Sequence, residues 1–168
     1  QELAGLLRAN INARVLKRAS IRGNLEGSTI NLSQAVVPDR SKTKALGSLK
    51  VKGWMMDSEL LSMGHLGKLT LGGMYNSRIA AAISDEIETG LPQVAEDFVA
   101  EARISSLRIK GIDDEPFSMI NFHIAAWVQK SIRLVGVQNI NDGMEFGLTA
   151  HEIGRLRQSD LADGADPI

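Results

Sequence analysis

The sequence predicts an all-β fold, a parallel β-solenoid built from rungs of about 20 or more residues. Two observations favour this fold class: a five-residue pattern recurs along the chain, and 16 of the 168 residues are glycine. Aromatic residues make up only 4%. Frequent glycine indicates a backbone with many tight corners, and scarce aromatic residues argue against a stacking platform for single-stranded nucleic acid.

The recurring pattern alternates apolar with mostly polar residues and ends on glycine. This alternation has the period of a half-buried strand, and the glycine predicts a bend after it. The copies are residues 19–23, 49–53, 69–73, 107–111 and 132–136. A degenerate sixth copy, residues 153–156, matches 46–49 and 66–69, so that Leu156 corresponds to Leu49 and Leu69. In four copies another apolar residue lies three positions before the first apolar one, namely Leu16, Leu46, Leu66 and Ile104.

A second element follows the bend and predicts a turn and then a strand. It occurs at 27–30, 57–60 and 76–79, with a displaced copy at 117–120. The bend glycines Gly53 and Gly73 are 20 residues apart, and the other intervals are 30, 38 and 25 residues. A solenoid accommodates such intervals, because each rung pairs with the next and insertions leave from a corner. A sandwich of hairpins would need more Asn-Gly or Asp-Gly turns, and residues 54–67 leave too little room for a crossover helix.

The length of the chain favours one domain, predicted over residues 1–158. Residues 1–15 are expected to form the N-terminal cap or the first rung, with a helix at 2–9 covering the open end. An insertion at 83–103 is expected to carry a short acidic helix within 92–102, since a proline precedes apolar residues at helical spacing. Residues 159–168 are predicted to be a flexible tail.

Composition excludes several classes of function. The chain has no cysteine, so it has no disulfide framework, thiolate nucleophile or cysteine-based zinc site. No stretch approaches the roughly 18 apolar residues of a membrane span, and none is expected. A start at Gln1 is typical of a mature or excised segment, which leaves export open.

The charges are segregated although the net charge is only −1. Residues that alternate with apolar ones in a strand point away from the core. These outward positions and those just before them carry ten of the 19 basic residues and no carboxylate, and we call this set the basic face: Arg18, Arg22, Lys50, Lys52, Lys68, Arg108, Lys110, Arg133, Arg155 and Arg157. The carboxylates lie in second strands, corners and insertions: Asp57, Glu59, Asp85, Glu86, Glu88, Glu96, Asp97, Asp113, Asp114 and Glu115.

Like charges stacked on neighbouring rungs repel, so an anionic partner would compensate them. The basic face therefore predicts a site for an extended anion such as an acidic polysaccharide, or for the acidic flank of a neighbouring copy. The alternative is that these side chains only confer solubility and prevent edge aggregation. Trp54 follows a bend glycine and is a candidate for stacking on a sugar, whereas Trp127 is predicted in the core. Nucleic acid is not expected, because no recognition helix or interleaved aromatic residue accompanies the charge.

Little in the sequence points to catalysis, to a metal or to another cofactor. The recurring serines Ser28, Ser58, Ser77 and Ser118 are expected to satisfy backbone groups at corners, since no nucleophile elbow accompanies them. The three histidines, His65, His123 and His151, lack the spacing of a metal site. The acidic runs at 113–115 and 141–145 lack the full ligand spacing of a calcium loop, which favours solvated turns.

The pattern Leu/Ile-Gly-x-Leu-x-Val-x-Gly followed by Ser-x-Ile, at 46–60 and 66–79, resembles the parallel β-helix repeats of large secreted and cell-surface bacterial proteins. The resemblance covers most of 16–157. It implies an extracellular or cell-surface location and a structural role in adhesion, scaffolding or lattice assembly, and it carries over no catalytic residue. The alternative is a carbohydrate-active β-helix enzyme, a polysaccharide lyase or hydrolase, which would need at least two acid–base groups in one concavity.

Overall fold

The structure, a computed structural model, describes residues 6–36, 43–87, 90–138 and 145–160. Within these ranges the fold is all-β, and fifteen strands form one sheet in which every strand pairing is parallel. The strands are β1 (Leu6–Leu7), β2 (Asn10–Ala13), β3 (Leu16–Ile21), β4 (Leu25–Glu26), β5 (Thr29–Leu32), β6 (Lys44–Met56), β7 (Glu59–Ser62), β8 (His65–Ala81), β9 (Arg103–Ile109), β10 (Met119–Ala126), β11 (Val128–Gln129), β12 (Ile132–Val135), β13 (Gly147–Thr149), β14 (Glu152–Ile153) and β15 (Leu156–Ser159).

The strand pairings form three ladders, each a series of parallel strands in hydrogen-bonded register. Ladder A contains β3, the first parts of β6 and β8, then β9, β11 with β12, and β14 with β15. Ladder B contains β2, β5, β7, the end of β8, β10 and β13. Ladder C contains β1, β4, the end of β6, the middle of β8 and the start of β10.

Ladder A confirms the sequence alignment of the repeats. The first apolar residues of the copies are direct register partners, in the order Ala19, Leu49, Leu69, Leu107, Ile132 and Leu156. The degenerate sixth copy is therefore a true copy. The residues three positions earlier also stack, and Gln129 and Ile153 continue their column.

The core consists of apolar side chains stacked in columns along the three ladders. Ladder A contributes Leu49, Leu69, Leu107 and Ile132, ladder B contributes Ile30, Leu60, Ile79 and Ile124, and ladder C contributes Leu25, Met55, Met74 and Met119, all with 2% exposure or less. The buried residues of each of these columns are all apolar because equivalent positions of successive repeats lie on neighbouring strands and contact one another.

The second element of the repeat is confirmed for three copies and wrong for the fourth. Ladder B aligns Thr29, Glu59, Arg78 and His123, so the fourth copy lies at 121–124 and not at 117–120. The insertion before the fourth copy explains why that copy lies later in the sequence than predicted. The Oγ of Ser118 accepts a hydrogen bond from the backbone N–H of Ile112 (2.9 Å) and closes that loop.

Neither predicted α-helix is present in the described residues. Within 92–102 the chain forms only one 3-10 turn, Ala95–Asp97. The Asp97 carboxylate accepts hydrogen bonds from the backbone N–H groups of Gln93 (2.7 Å) and Val94 (3.1 Å), which satisfies two donors at the start of the turn. Phe98 is then extended and bridges Ile83.

The predicted N-terminal helix at 2–9 is wrong where the structure describes it, because Leu6–Leu7 forms strand β1 and pairs with β4. Residues 1–5 lie outside the described residues, as do 161–168 of the predicted tail, whereas Ser159 belongs to β15. Among the described residues, no helix has the length and apolar character needed to cross a membrane.

Candidate functional site

The basic face lies on the outward side of ladder A, and every one of its ten side chains is exposed. Two grooves run along it. The larger encloses about 600 Å³ and is lined by Arg18, Ala19, Ser20, Ser48, Leu49, Lys50, Lys68, Thr70, Arg108 and Lys110. The smaller encloses about 170 Å³ and is lined by Ser106, Leu107, Arg108, Ser131, Ile132, Arg133, Arg155 and Arg157. Neither set of lining residues contains a carboxylate.

Both grooves combine cations with small hydroxyl side chains because ladder A brings equivalent outward positions into register. Ser48 lies between Arg18 and Lys68, and Lys50 lies between Ser20 and Thr70. A serine or threonine beside a long cation leaves a depression that larger side chains would fill. The site can therefore offer charged and neutral hydrogen-bond donors to one ligand.

Three predicted site residues lie outside these grooves. Arg22 and Lys52 are exposed near the end of the strands, beyond the groove walls. Trp54 is half-buried, and its ring lies over Gly73, where an added Cβ would come within 2.6 Å of it. Trp54 is therefore not among the residues that line either groove.

The recurring serines satisfy backbone groups, as predicted, and they do so between rungs. The Oγ of Ser58 accepts a hydrogen bond from the backbone N–H of Ser28 (3.1 Å), and the Oγ of Ser77 accepts one from the N–H of Ser58 (3.1 Å). Each hydroxyl also donates to the carbonyl two residues before it, at 2.6 Å for Ser58 and 2.8 Å for Ser77. With 4% exposure or less, these serines are structural.

A second series of side-chain contacts stacks at the same corner, and the sequence prediction missed it. The Nδ2 of Asn76 donates to the Oδ1 of Asp57 (2.6 Å), and the Nδ2 of Asn121 donates to the Oδ1 of Asn76 (2.7 Å). We call these three residues the corner ladder. All have a left-handed backbone, with φ of 45° or 46°, which Asn and Asp tolerate better than other side chains. The available signal was the residue before each repeated Ser-x-apolar strand, which is Gly, Asp or Asn.

A polar cavity of about 630 Å³ lies beside the corner ladder, away from the basic face. Its carboxylates are Asp57, Glu59 and Glu145, and its bases are Arg78 and His123. Burial lowers the pKa of the Arg78 guanidinium from its ordinary value, and the charge of Glu59 opposes this shift. The guanidinium also donates to the carbonyl of Ile87 (2.7 Å). The sequence predicts that Asp57 and Glu59 lie on the acidic flank, but it does not indicate that Glu145 lines the same cavity.

The three histidines lie in separate environments. His65 is buried and accepts a hydrogen bond at Nδ1 from the backbone N–H of Arg103 (3.2 Å). The Nε2 of His123 contacts the carbonyl of Glu145 (2.7 Å). His151 is exposed and stacks on Trp127, with ring centroids 4.3 Å apart. No group of three or more metal-ligating side chains is gathered in the part of the chain that the structure describes.

Two other predictions concern the acidic runs at 113–115 and 141–145 and the position of Trp127. The run Asp113-Asp114-Glu115 is an exposed turn in which Asp114 has a φ of 67°, as expected for a solvated corner. Residues 141–144 of the other acidic run lie outside the described residues. Trp127, predicted in the core, is half-buried, because it packs edge-on to Phe98 at 5.5 Å and face-on to His151 on the outside of the sheet.

Comparison with known proteins gives no match: no family model, no curated protein and no solved structure resembles the chain closely enough to indicate a relationship.

Proposed function

We propose that the chain is a segment of a parallel β-solenoid that binds an anionic polysaccharide through its basic face without catalysing a reaction. The three ladders support the solenoid, because the copies that begin at 19, 49, 69 and 107 each supply strands to all three ladders and pair with one another in succession. In this arrangement the chain belongs to a secreted or surface protein of a bacterium and acts in adhesion, scaffolding or lattice assembly.

The larger groove is the observation that carries the binding proposal. It places five cations around about 600 Å³ with no carboxylate among the lining residues. Uncompensated cations at strand spacing raise each other's electrostatic free energy, and a bound polyanion removes this cost. Solubility alone does not require that the cations share a groove with in-register hydroxyl groups.

The test is binding of the purified chain to a panel of acidic and neutral polysaccharides at low and moderate salt. We expect saturable binding to acidic polymers only, weakened by salt because exposed charges are screened. The variant Lys50→Glu/Lys52→Glu/Arg108→Glu/Lys110→Glu should lose about tenfold or more in affinity, or about 1.4 kcal/mol.

The control variant reverses four exposed cations outside both grooves: Arg14→Glu/Lys17→Glu/Lys44→Glu/Lys130→Glu. It changes net charge by the same amount, so it should retain most of the affinity. Absence of binding by the unaltered chain, or an equal loss in both variants, would contradict the proposal. Self-association abolished only by the first variant would instead identify a neighbouring copy as the anionic partner.

A carbohydrate-active enzyme is the second candidate, and the polar cavity favours it. Three carboxylates, an arginine and a histidine line one concavity, which is the convergence that acid–base chemistry on a glycan requires. Incubation with the same polysaccharides should then release reducing ends or unsaturated uronate groups, and Glu59→Gln or Glu145→Gln should abolish the release. Polysaccharides recovered intact would leave the cavity without an enzymatic role.

A further inference from the structure

Four successive strands of ladder A share an arrangement that the sequence analysis did not reveal. At two outward positions, each strand presents one cation and one hydroxyl, and the two exchange places from each strand to the next. The pairs in register are Arg18 with Ser20, Ser48 with Lys50, Lys68 with Thr70, and Ser106 with Arg108.

The cations consequently follow a zigzag along the ladder. Parallel strands lie about 4.8 Å apart, and positions two residues apart on one strand are separated by about 6.6 Å. One cation therefore occurs about every 4.8 Å along the ladder, alternately in two rows, and recurs within a row about every 10 Å. The zigzag ends after Arg108, because Arg133 lies in the same row as Arg108.

This inference rests on the proposed function and deepens it. We infer that the larger groove recognises a linear polyuronate, a polymer of uronic acids, which lies across the strands as a twofold ribbon. In such a ribbon consecutive sugars are flipped, so their carboxylates alternate between the two edges. Its sugar repeat of about 5 Å is close to the spacing of parallel strands, so one sugar meets one strand. Each carboxylate then reaches a Lys or Arg, and the neighbouring Ser or Thr hydroxyl meets a hydroxyl of the same sugar.

The match is specific to this pattern of charge. A polymer with all its anionic groups on one edge would reach only one row, that is, Arg18 with Lys68 or Lys50 with Arg108. A polymer with one carboxylate for every two sugars would leave half of the cations unpaired. The zigzag spans four strands, so a chain of about four sugars should be the shortest that binds with most of the full affinity.

The decisive experiment moves cations without changing composition or net charge. Ser48→Lys/Lys50→Ser places the second cation in the row of Arg18 and Lys68, and Lys68→Thr/Thr70→Lys places the third in the row of Lys50 and Arg108. We expect each double variant to lose about tenfold in affinity for polymannuronate, because the carboxylate that paired with the moved cation then faces a hydroxyl. Thermal unfolding of each variant checks that the fold is retained.

The matched control is the same kind of exchange one strand beyond the zigzag, Ser131→Arg/Arg133→Ser. This exchange moves the cation of β12 out of the row of Arg108 and into the row of Arg18 and Lys68, so the alternation extends to a fifth strand. The affinity for long chains should therefore be preserved or raised. Hyaluronan, with one carboxylate for every two sugars, should bind the unaltered chain more weakly than polymannuronate.

Two results would overturn the inference while leaving the proposed function intact. One is equal affinity of the exchange variants and the unaltered chain, which would show that charge alone matters. The other is a preference for hyaluronan over polymannuronate. If no acidic polysaccharide binds the unaltered chain, the proposed function fails, and the inference fails with it.

Discussion

His65 is a titratable side chain whose burial couples its protonation to folding. It has 3% exposure, and its Nδ1 accepts a hydrogen bond, which places the proton of the neutral ring on Nε2. Nε2 has no hydrogen-bond partner among the described residues. Burial, followed by the charges of Arg103, Lys130 and Lys44, lowers the pKa of His65 below its ordinary value of 6.5.

We predict that the free energy of unfolding decreases as the pH falls below 6.5, the ordinary pKa of His65. In that window the unfolded chain binds a proton that the folded chain does not, which favours unfolding, whereas above it both states are neutral. Urea unfolding from about pH 8 to about pH 5 should show this dependence, and His65→Gln should make it shallower. His151→Gln, at an exposed histidine, is the control and should leave the dependence unchanged.

Asn76 is the central residue of the corner ladder, where it donates one side-chain hydrogen bond and accepts another. Asn76→Ala removes both and leaves alanine, which tolerates the left-handed region less well than asparagine, at a φ of 45°. We expect a loss of about 1–3 kcal/mol in the free energy of unfolding. Asn76→Gly removes the same hydrogen bonds without the backbone strain, so it should cost about 1 kcal/mol less than the alanine variant. Equal losses on denaturant unfolding would show that the left-handed corner carries no strain.

At the scale of the element, ladder A depends on close approach between successive backbones. A Cβ added to Gly67 would collide with the carbonyl oxygen of Gly47, and one added to Gly47 would collide with the carbonyl oxygen of Lys17. Gly154 would meet the carbonyl oxygen of Lys130 at 2.8 Å. Contact between strands therefore explains the glycines that follow Leu46, Leu66 and Ile153.

Gly67→Ala should lower the free energy of unfolding by about 1–3 kcal/mol, since the adjacent backbone must move to admit the methyl group. Thermal or denaturant unfolding measures the loss. Ser105→Ala is the matched control, because Ser105 stands at the equivalent point of β9, where a side chain is already accommodated. A Gly67→Ala protein as stable as this control would contradict the close approach.

At the scale of the whole molecule, the contribution of a core position depends on where its strand lies along the ladder. Leu107 and Leu156 belong to the same column, yet Leu107 has 1% exposure and Leu156 has 48%. The difference arises because β9 is paired on both sides, with β8 and with β12, whereas β15 pairs with β12 alone among the described residues.

Leu107→Ala should therefore cost about 2–5 kcal/mol of unfolding free energy, the range for a buried leucine whose removal leaves a cavity. Leu156→Ala should cost less than about 1 kcal/mol, because half of that side chain already contacts solvent. Denaturant unfolding of the two variants tests the difference directly. Equal losses would mean that the last strand is covered in solution.

The sequence anticipated the repeats better than the segments between them. Positions 19, 49, 69, 107, 132 and 156 were aligned from apolar alternation and glycine alone, and all six are register partners. The alignment succeeded because parallel pairing places equivalent positions on top of one another. The acidic helix within 92–102 was wrong, because helical spacing of three apolar residues does not reveal that the chain becomes extended at Phe98 and bridges Ile83.

The candidate site was predictable in its charges and unpredictable in its shape. Alternation along each strand identified the outward cations. The grooves and the exchange of cations and hydroxyls between strands required the register of neighbouring strands. The polar cavity was harder still, because Glu145 reaches it from a repeat far along the chain.

By itself the sequence determined that the chain is all-β, that its strands pair in parallel and which residues stack in ladder A, because a periodic pattern can bury its apolar side only by in-register stacking of like positions. The tertiary structure alone decided the path of the insertions, the burial of His65, the corner ladder and the set of residues that line the polar cavity. These features arise from contacts between residues that follow no period, so they depend on how separate segments meet in space.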